Sequence, residues 1–385
     1  MRKKRKICYI TGTRADYGLM ENALMKLNKQ FDLSLVVTGA HLLKEFGYTI
    51  REIEKSGLKI AGKVRSIASG DTNLDMAVSF GACIRGTAKI LAKVMPDIIL
   101  VLGDKIEPLA GAMAGVALNI PVAHIHGGDQ GDGKAHIDDM VRHAITKFAH
   151  IHFPATKISA ERIIKMGEEK WRVHIIGSPA LDDIFSQNFY SKKYIEEKYD
   201  IDLKKPLILV IQHPTPSQAD EAGQQMRETL QALRDINENT ILIYPNADAG
   251  WKNIIKAIKE YEKYDFLRAY KSLPRKDYLS IMKYARVMAG NSSSGTIDTP
   301  LFKLPVVNIG TRESIREHAA NKIFVPHKKD LIKRAIKKAL FDKNFRMAVK
   351  KCKNPYGDGR AGSRMANIFK KIKINDKLLN KRLTY

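Results

Sequence analysis

The 385-residue chain is predicted to be an α/β protein made of two halves, each a parallel sheet covered by helices. Three observations carry this. Short β-branched apolar runs alternate with longer amphipathic stretches, the pattern of strands joined by crossover helices. The alternation occurs twice, on either side of the polar stretch SQNFYSKKYIEEKYDIDLKKP, which places a domain boundary around residues 185 to 205. The length suits two domains with a core each, at roughly 100 to 200 residues per domain.

In the first half, strands are expected at Ile7 to Thr11, Leu33 to Thr38, Ile98 to Gly103, Val122 to Ile125, Ile151 to Pro154 and His174 to Ile176. Helices fill the gaps, for example from Glu107 through Leu118 and from Asp138 through Phe148. In the second half, strands are expected at Leu207 to Gln212, Thr240 to Tyr244, Arg286 to Ala289 and Val306 to Ile309. Each of these runs into polar or Gly-rich residues at its C-terminal end: QHPTP, PNADAG, GNSSSG and GTRES. Ligands of open α/β sheets bind beyond the carboxyl ends of the strands, so two such halves offer two sets of loops to a shared cleft. No short tandem repeat or low-complexity tract interrupts the pattern.

Composition excludes several classes. The chain holds 66 Lys+Arg against 41 Asp+Glu, a formal net charge of +25. Residues 321 to 385 contain 20 Lys+Arg and only 4 Asp, a net of +16, so most of the excess is C-terminal. Nucleic-acid binding is not expected there: no aromatic residues interleave the lysines to stack bases, and no zinc-finger or RNP-type motif occurs. In LIKRAIKKAL, Leu331, Ile332, Ile336 and Leu340 instead form the apolar stripe of a helix with a solvated Lys face. Cys8, Cys83 and Cys352 lie far apart without CxxC spacing, which fits a reducing, cytoplasmic setting and no thiolate metal site. The apolar run after MRKKRK is too short for a signal segment, and no run of about 18 apolar residues follows, so neither secretion nor a membrane is expected.

Chemistry concentrates at strand ends. GNSSSGTID (residues 290 to 298) joins a strand to a helix and places the hydroxyls and N–H groups of Ser292, Ser293, Ser294 and Gly295 where a phosphate can bind. Simple N-capping by one serine is the plainer alternative, but three serines flanked by glycines exceed its needs. Asp298, one turn on, reaches a ribose hydroxyl or merely favours the helix dipole. No GxxxxGK[ST] loop occurs, nor a GxGxxG after the first strand, which removes the main support for ATP hydrolysis and dinucleotide redox chemistry. In TGTRADYG, Arg14 holds a phosphate or pairs with Asp16.

GDKIEP puts Asp104 and Glu107 near one sheet edge. AHIHGGDQGDGKAHIDDMVRHAITK then collects His124, His126, Asp129, Asp132, His136, Asp138, Asp139, Arg142 and His143 around a Gly-rich loop. An acid/base site ranks first, because neighbouring carboxylates raise one another's pKa and divide the acid and base roles. Helix capping by Asp138 and Asp139 ranks second. A metal site ranks third, since no HxxxH or facial-triad spacing compels it. His213 is kept at its strand mouth by Pro214 and Pro216, and Asn246, Asp248 and Lys252 line the neighbouring one.

Together TGTRADYG, VTGAHLLKEFG, GDKIEPLAGAMA, HIHGG, IDDMVRHAITKFAHIHF, GSPALD, VIQHP, PNADAG, GNSSSG, VVNIGTRE and NPYGDGRAGSR closely resemble the UDP-N-acetylglucosamine 2-epimerase family. The resemblance is strongest to its hydrolysing branch, which makes N-acetylmannosamine for sialic-acid-type sugars. It runs in order from residue 7 to about residue 368. It implies the glycosyltransferase-B architecture: a Rossmann-like domain over 1–185 for sugar and acid/base work, a UDP-binding Rossmann-like domain over 186–360, and a crossing helix and basic tail over 361–385. Asp104 and Asp138 match family acids implicated in catalysis, and His213 matches the catalytic histidine. Arg14, Asn246, Lys252, Ser292 and Ser293 match substrate or UDP contacts, and Asp298 stands where the family has a ribose-binding glutamate. Asp16, Lys105, Arg142, Asp248, Ser294, Gly295 and Arg312 complete the expected binding set.

The implied reaction removes the C2 proton with anti elimination of UDP to give 2-acetamidoglucal, after which water adds. No redox cofactor is required, stimulation by a divalent cation stays open, and a homo-oligomer, dimer or tetramer, is expected. Two departures stand out: His126 replaces a catalytic glutamate, and the loop DQGDGKAH is longer than in the family. Either the imidazole takes over proton transfer, or Asp129 or Asp132 supplies the carboxylate. Lys105 stands where relatives often carry arginine. The competing readings are an epimerase for a related UDP- or GDP-linked acetamido sugar, a non-hydrolysing epimerase, a transferase of the same architecture, and a non-catalytic nucleotide-sugar sensor.

Overall fold

The computed structural model describes residues 4–44, 48–67, 73–130, 137–186, 188–245, 250–312 and 316–385. The chain divides into two compact units, Met1–Ser186 with Tyr356–Tyr385, and Gln187–Pro355. Residues 356–360, grouped by sequence with the second domain, belong to the first unit.

The first unit contains β1 (Lys6–Thr11), β2 (Asp32–Thr38), β3 (Lys59–Val64), β4 (Ile98–Leu102), β5 (Val122–Ile125) and β6 (Ile151–Phe153), in the order β3-β2-β1-β4-β5-β6. All pairings are parallel. The order reverses between β1 and β4, the position where doubly wound sheets bind ligands. Helices cover both faces, so central strands such as β4, IILVL, are buried along their whole length and read as continuous apolar runs.

The helix Ala361–Lys371 packs on the helix Arg14–Asn28 within this unit. Its start is held by the buried Asp182 carboxylate, which accepts from the N–H groups of Ala361 (2.8 Å) and Gly362 (2.9 Å). Those are two of the donors every helix leaves open at its first turn. Met365, Ala366 and Phe369 then enter the core, with the Phe369 ring edge-on to Phe153.

Beyond that helix the fully buried Arg172 donates to the carbonyls of Lys377, Leu378 and Asn380 at 2.7 to 3.1 Å. Beside it, Glu168 gathers Lys147, Lys381 and His152 at 2.8 to 3.0 Å. Burial alone would raise the Glu168 pKa, but the hydrogen bonds from His152, Lys147 and Lys381 prevail and bring it down to about 2. A depressed carboxylate stabilises the fold above its unfolded pKa and loses that contribution as pH falls through its folded value. The gap in thermal midpoint between the wild type and Glu168→Gln is therefore expected to be constant above pH 4.5 and to narrow from there to about pH 2. A gap that does not change over that window would show that the cluster does not hold the tail in this way.

The second unit contains β7 (Leu207–Ile211), β8 (Asn239–Ile243), β9 (Leu267–Tyr270), β10 (Val287–Gly290), β11 (Val306–Ile309) and β12 (Lys322–Val325), again all parallel, in the order β12-β11-β10-β7-β8-β9. The helix Lys329–Phe341 buries Ile332, Ala335, Ile336, Ala339 and Leu340, while Leu331 stays half-exposed at the edge of the stripe. Among the described residues no helix is long and apolar enough to cross a membrane.

Two expectations need correction. The stretch His174 to Ile176 is not a strand. It runs beside β6, with His174 N–H donating to His152 O and Ile176 N–H to Pro154 O, but only a single bridge, His152 to Val173, forms before Gly177 turns the chain. In the other direction, β3, β9 and β12 were not expected. All three are edge strands, with one neighbour each and half-exposed, lysine- or arginine-bearing sequences that lack an apolar run.

Candidate active site

In the first unit the acidic cluster assembles around one cation. Asp104 follows β4, Asp139 lies in the first turn of the helix Ile137–Phe148, and Asp129 lies in the loop after β5. The nearly buried guanidinium of Arg142, one turn after Asp139, donates Nη2–H to Asp104 Oδ2 and Nη1–H to Asp139 Oδ1 and, at 3.0 Å, to the main-chain oxygen of Asp129. Burial would lower the arginine's pKa, but the charges of Asp104, Asp139 and Asp129 raise it. Arg142, expected to bind substrate, is thus the hub that fixes the acids. Mutual repulsion between carboxylates gives way to a cation shared by two of them.

Asp138 faces the other way, its Oδ2 2.6 Å from Lys105 Nζ in a half-exposed pair. Glu107 also leaves the cluster: its buried carboxyl lies against Gly12 and Gly39, and burial pushes its pKa up. Below the cluster His124 is fully buried, with Nε2 2.9 Å from Gly103 O and Nδ1 3.3 Å from Thr146 Oγ1. Burial brings its pKa down to about 3, which makes it a neutral spacer. His126 takes a left-handed backbone, φ +64°, at the end of β5, and its Nδ1 lies 3.4 Å from Asp129 Oδ2. Asp132 and His136 lie outside the described residues.

The turn after β1 is occupied from within. Asp16 closes a capping box with Thr13 and also accepts from the Thr11 hydroxyl and from the Gly12 N–H at 2.9 Å. Its pKa is raised to about 6 by burial, against the pull of those bonds. Arg14 does not pair with Asp16; its Nε lies 3.2 Å from Glu52 Oε1. Of the two roles the sequence left to Arg14, a phosphate contact or a pair with Asp16, the pair does not form, because capping turns Asp16 inward and leaves Arg14 exposed on the helix.

In the second unit, Asn291 links two strand mouths. Its side chain accepts from His213 N–H at 2.7 Å and donates to His213 O at 2.9 Å, as a strand partner would. The close approach requires Gly290, at φ +124°, where a Cβ would fall 2.0 Å from Ile211 O. Ser292 and Ser293 follow directly. Arg312 donates to Asn291 O at 3.2 Å.

The helix expected after the serines is a single turn, Ser294–Ile297, so its dipole contributes little to an anion and the backbone and hydroxyl donors remain. Asp298 is nearly buried, accepting from Ser294 Oγ at 2.7 Å with Arg275 3.6 Å away. Gly295 is the second residue of that same turn, and Lys252 is exposed in the first turn of the helix Trp251–Tyr261. Asn246 and Asp248 lie outside the described residues. Among the described residues no three His, Cys, Asp or Glu side chains group as metal ligands. Asn291, Ser159 and Arg275 went unnoticed in the sequence; for Asn291 the available signal was an amide directly after a strand-ending glycine.

Known proteins resemble this chain over most of its length. A family model described as UDP-N-acetylglucosamine 2-epimerase matches residues 24–370. The chain is 37% identical over 379 residues to UDP-N,N'-diacetylbacillosamine 2-epimerase (hydrolyzing) of Legionella pneumophila, covering 98% of each. It is 35% identical over 324 residues to GDP/UDP-N,N'-diacetylbacillosamine 2-epimerase (hydrolyzing) of Campylobacter jejuni, covering 83% of each. Among solved structures, UDP-GlcNAc 2-epimerase from Neisseria meningitidis bound to UDP-GlcNAc shares the fold, with a TM-score of 0.78 at 16% identity over 95% of this chain and all of that one.

Proposed function

The chain belongs to the UDP-N-acetylglucosamine 2-epimerase family, and from that premise we propose that it hydrolyses a UDP-linked 2-acetamido sugar to UDP and the free 2-epimer. Removal of the C2 proton with departure of UDP gives a glycal, and water then adds; proton and leaving group balance without an electron acceptor. The observation that carries the reading is the Arg142 hub. It holds Asp104, Asp139 and the Asp129 backbone at the carboxyl ends of β4 and β5, where acid/base groups on a sugar are needed.

The second unit takes the nucleotide. Ser292 and Ser293 meet the diphosphate, Asp298 the ribose and Lys252 the phosphates. His213, tied to Asn291 beside those serines, serves the departing oxygen. Ser292→Ala with Ser293→Ala is expected to weaken UDP binding about 10-fold or more, since each lost hydrogen bond to a charged group is worth roughly 1.5–3 kcal/mol. The fold should be unaffected, because both serines are only half-buried. Unchanged affinity by calorimetry would move the phosphates elsewhere.

UDP-N-acetylglucosamine, giving N-acetylmannosamine, is the substrate the motifs suggest. A second sugar is favoured by the Legionella and Campylobacter relatives, which are named for N,N'-diacetylbacillosamine. Each UDP-sugar incubated with the protein in deuterated buffer and followed by proton NMR tests this. Free 2-epimer with deuterium at C2 is expected from one of them; a UDP-linked epimer would make the enzyme non-hydrolysing, and binding without turnover would make it a sensor. Three buried free cysteines support a cytoplasmic setting, and the homo-oligomer implied by the family is measurable by light scattering.

A further inference from the structure

His126 and Asp129 stood as alternatives in the sequence, yet the fold makes them neighbours. Asp129 is anchored from three sides. Its main-chain oxygen accepts from Arg142 Nη1 at 3.0 Å, its Oδ1 accepts from the Ser159 hydroxyl at 2.6 Å, and its Oδ2 lies 3.4 Å from His126 Nδ1. Ser159 is itself fixed: it is 3% exposed, in the first turn of the helix Lys157–Lys165. Its N–H donates to the N-cap hydroxyl of Thr156 at 3.1 Å, and its own hydroxyl lies 3.0 Å from the same oxygen.

The loop between the two residues is equally constrained. Gly128 has φ +75°, and a Cβ there would fall 2.1 Å from Ser159 O, so only glycine lets the loop reach that helix. Gly128 O also accepts from Arg162 at 3.1 Å. At the other end of the chain of contacts, the His126 backbone sits at φ +64°, a sparsely populated region for a residue with a Cβ, held by its N–H donating to Phe153 O at 3.1 Å. Such a conformation costs on the order of 1 kcal/mol or more and persists where the surroundings over-determine it.

We propose that His126 and Asp129 work as one unit, with His126 Nε2 exchanging the C2 proton of the substrate, and Asp129 and Ser159 as the positioning residues that set its ring. This deepens the epimerase reading and rests on it. In the elimination the C2–H proton passes to Nε2, the C–H electron pair becomes the C1=C2 double bond, and the C1–O pair leaves with UDP. The Asp129 carboxylate holds the tautomer with hydrogen on Nδ1 and stabilises the imidazolium that forms. Ser159 and Arg142 keep that carboxylate in place. A carboxylate oriented by the Ser159 hydroxyl, on a main chain held by Arg142, and acting through an imidazole thus replaces a carboxylate acting directly.

Among the described residues, the other charged or titratable groups around the unit are Arg142 and Asp139 from the helix Ile137–Phe148, Asp104 from the end of β4, His124 on β5 and Arg162 from the helix Lys157–Lys165. None of them is altered by the variants below.

Two measurements on the full chain test the proposal, the first of them separately from the activity. In the first, the His126 imidazole is titrated by nitrogen-15 NMR in the wild type and Asp129→Asn. Its pKa is expected to fall by about one pH unit when the neighbouring anion is removed; an unchanged value overturns the pairing whether or not any sugar is turned over. In the second, pH–rate profiles are compared. His126→Ala and Asp129→Asn should each lower kcat by about 100-fold, with the residual acid limb of Asp129→Asn moved to lower pH. Ser159→Ala should lower kcat several-fold at unchanged KM, and Ser159→Thr should restore it. Full activity in His126→Ala with loss in Asp129→Asn would make Asp129 the base and overturn the proposal. An inactive wild type with the expected His126 shift would instead count against the epimerase reading alone.

Discussion

Arg142→Met is expected to lower turnover by about 100-fold or more and to destabilise the first unit. Methionine fills much of the volume but leaves Asp104 and Asp139 facing each other without their shared cation, and frees the Asp129 carbonyl. Removing one partner of a fully buried ion pair costs about 3–5 kcal/mol. The Asp104 and Asp139 side chains keep 24% and 21% of their exposure, so solvent screens part of this and roughly 2–3 kcal/mol is expected. The catalytic loss exceeds the stability loss because acid/base groups displaced by about 1 Å lose on the order of 100-fold in rate. Arg142→Lys separates the two effects. One ammonium restores charge but cannot span three oxygens on three segments, so stability should recover further than turnover. Urea midpoints and turnover for both variants decide it; a wild-type midpoint and rate in Arg142→Met would show that the cation is incidental to the site.

The legible and illegible parts of this molecule divide along physical lines. Central strands such as β4 and β7 are covered on both faces, so burial writes them as unbroken apolar runs, IILVL and LILVI. The edge strands β3, β9 and β12 carry lysine, arginine and half-exposed positions, because an edge has one partner and solvent on the other side.

The site follows the same logic. Residue types at strand ends were visible: Asp104, His126, His213 and the three serines all stand there. Their partners were not visible, because partnership depends on where distant elements meet. Spacing left Arg14 either to hold a phosphate or to pair with Asp16, and the capping box, which claims the aspartate, removes the second. Arg142 is among the expected substrate ligands, and only the meeting of β4, the loop after β5 and a helix start shows that its Nη1 and Nη2 donate to protein oxygens. Ser159 carries no motif at all; its hydroxyl matters because Gly128 lets a loop approach that helix.

The same reasoning sets the expected behaviour of His213. Its main chain is bonded in both directions to the Asn291 side chain, and Ser292 is the residue after Asn291, so His213 and the serines proposed to bind phosphate are placed by one amide. On the function proposed above, a histidine beside those serines serves bond breaking at the diphosphate, where negative charge develops as UDP departs. His213→Ala should therefore lower kcat by roughly 100- to 10,000-fold, the range for losing a positioned acid/base group, while UDP affinity changes less than about 10-fold. Asn291→Ala should behave differently, because it removes the shared support: kcat and UDP affinity should fall together. Turnover and UDP calorimetry on the two variants separate these patterns. Near-normal turnover in His213→Ala would leave the histidine a turn residue. Equal losses of UDP affinity in both variants would mean that His213 acts on bound ground-state phosphate rather than on the departing oxygen.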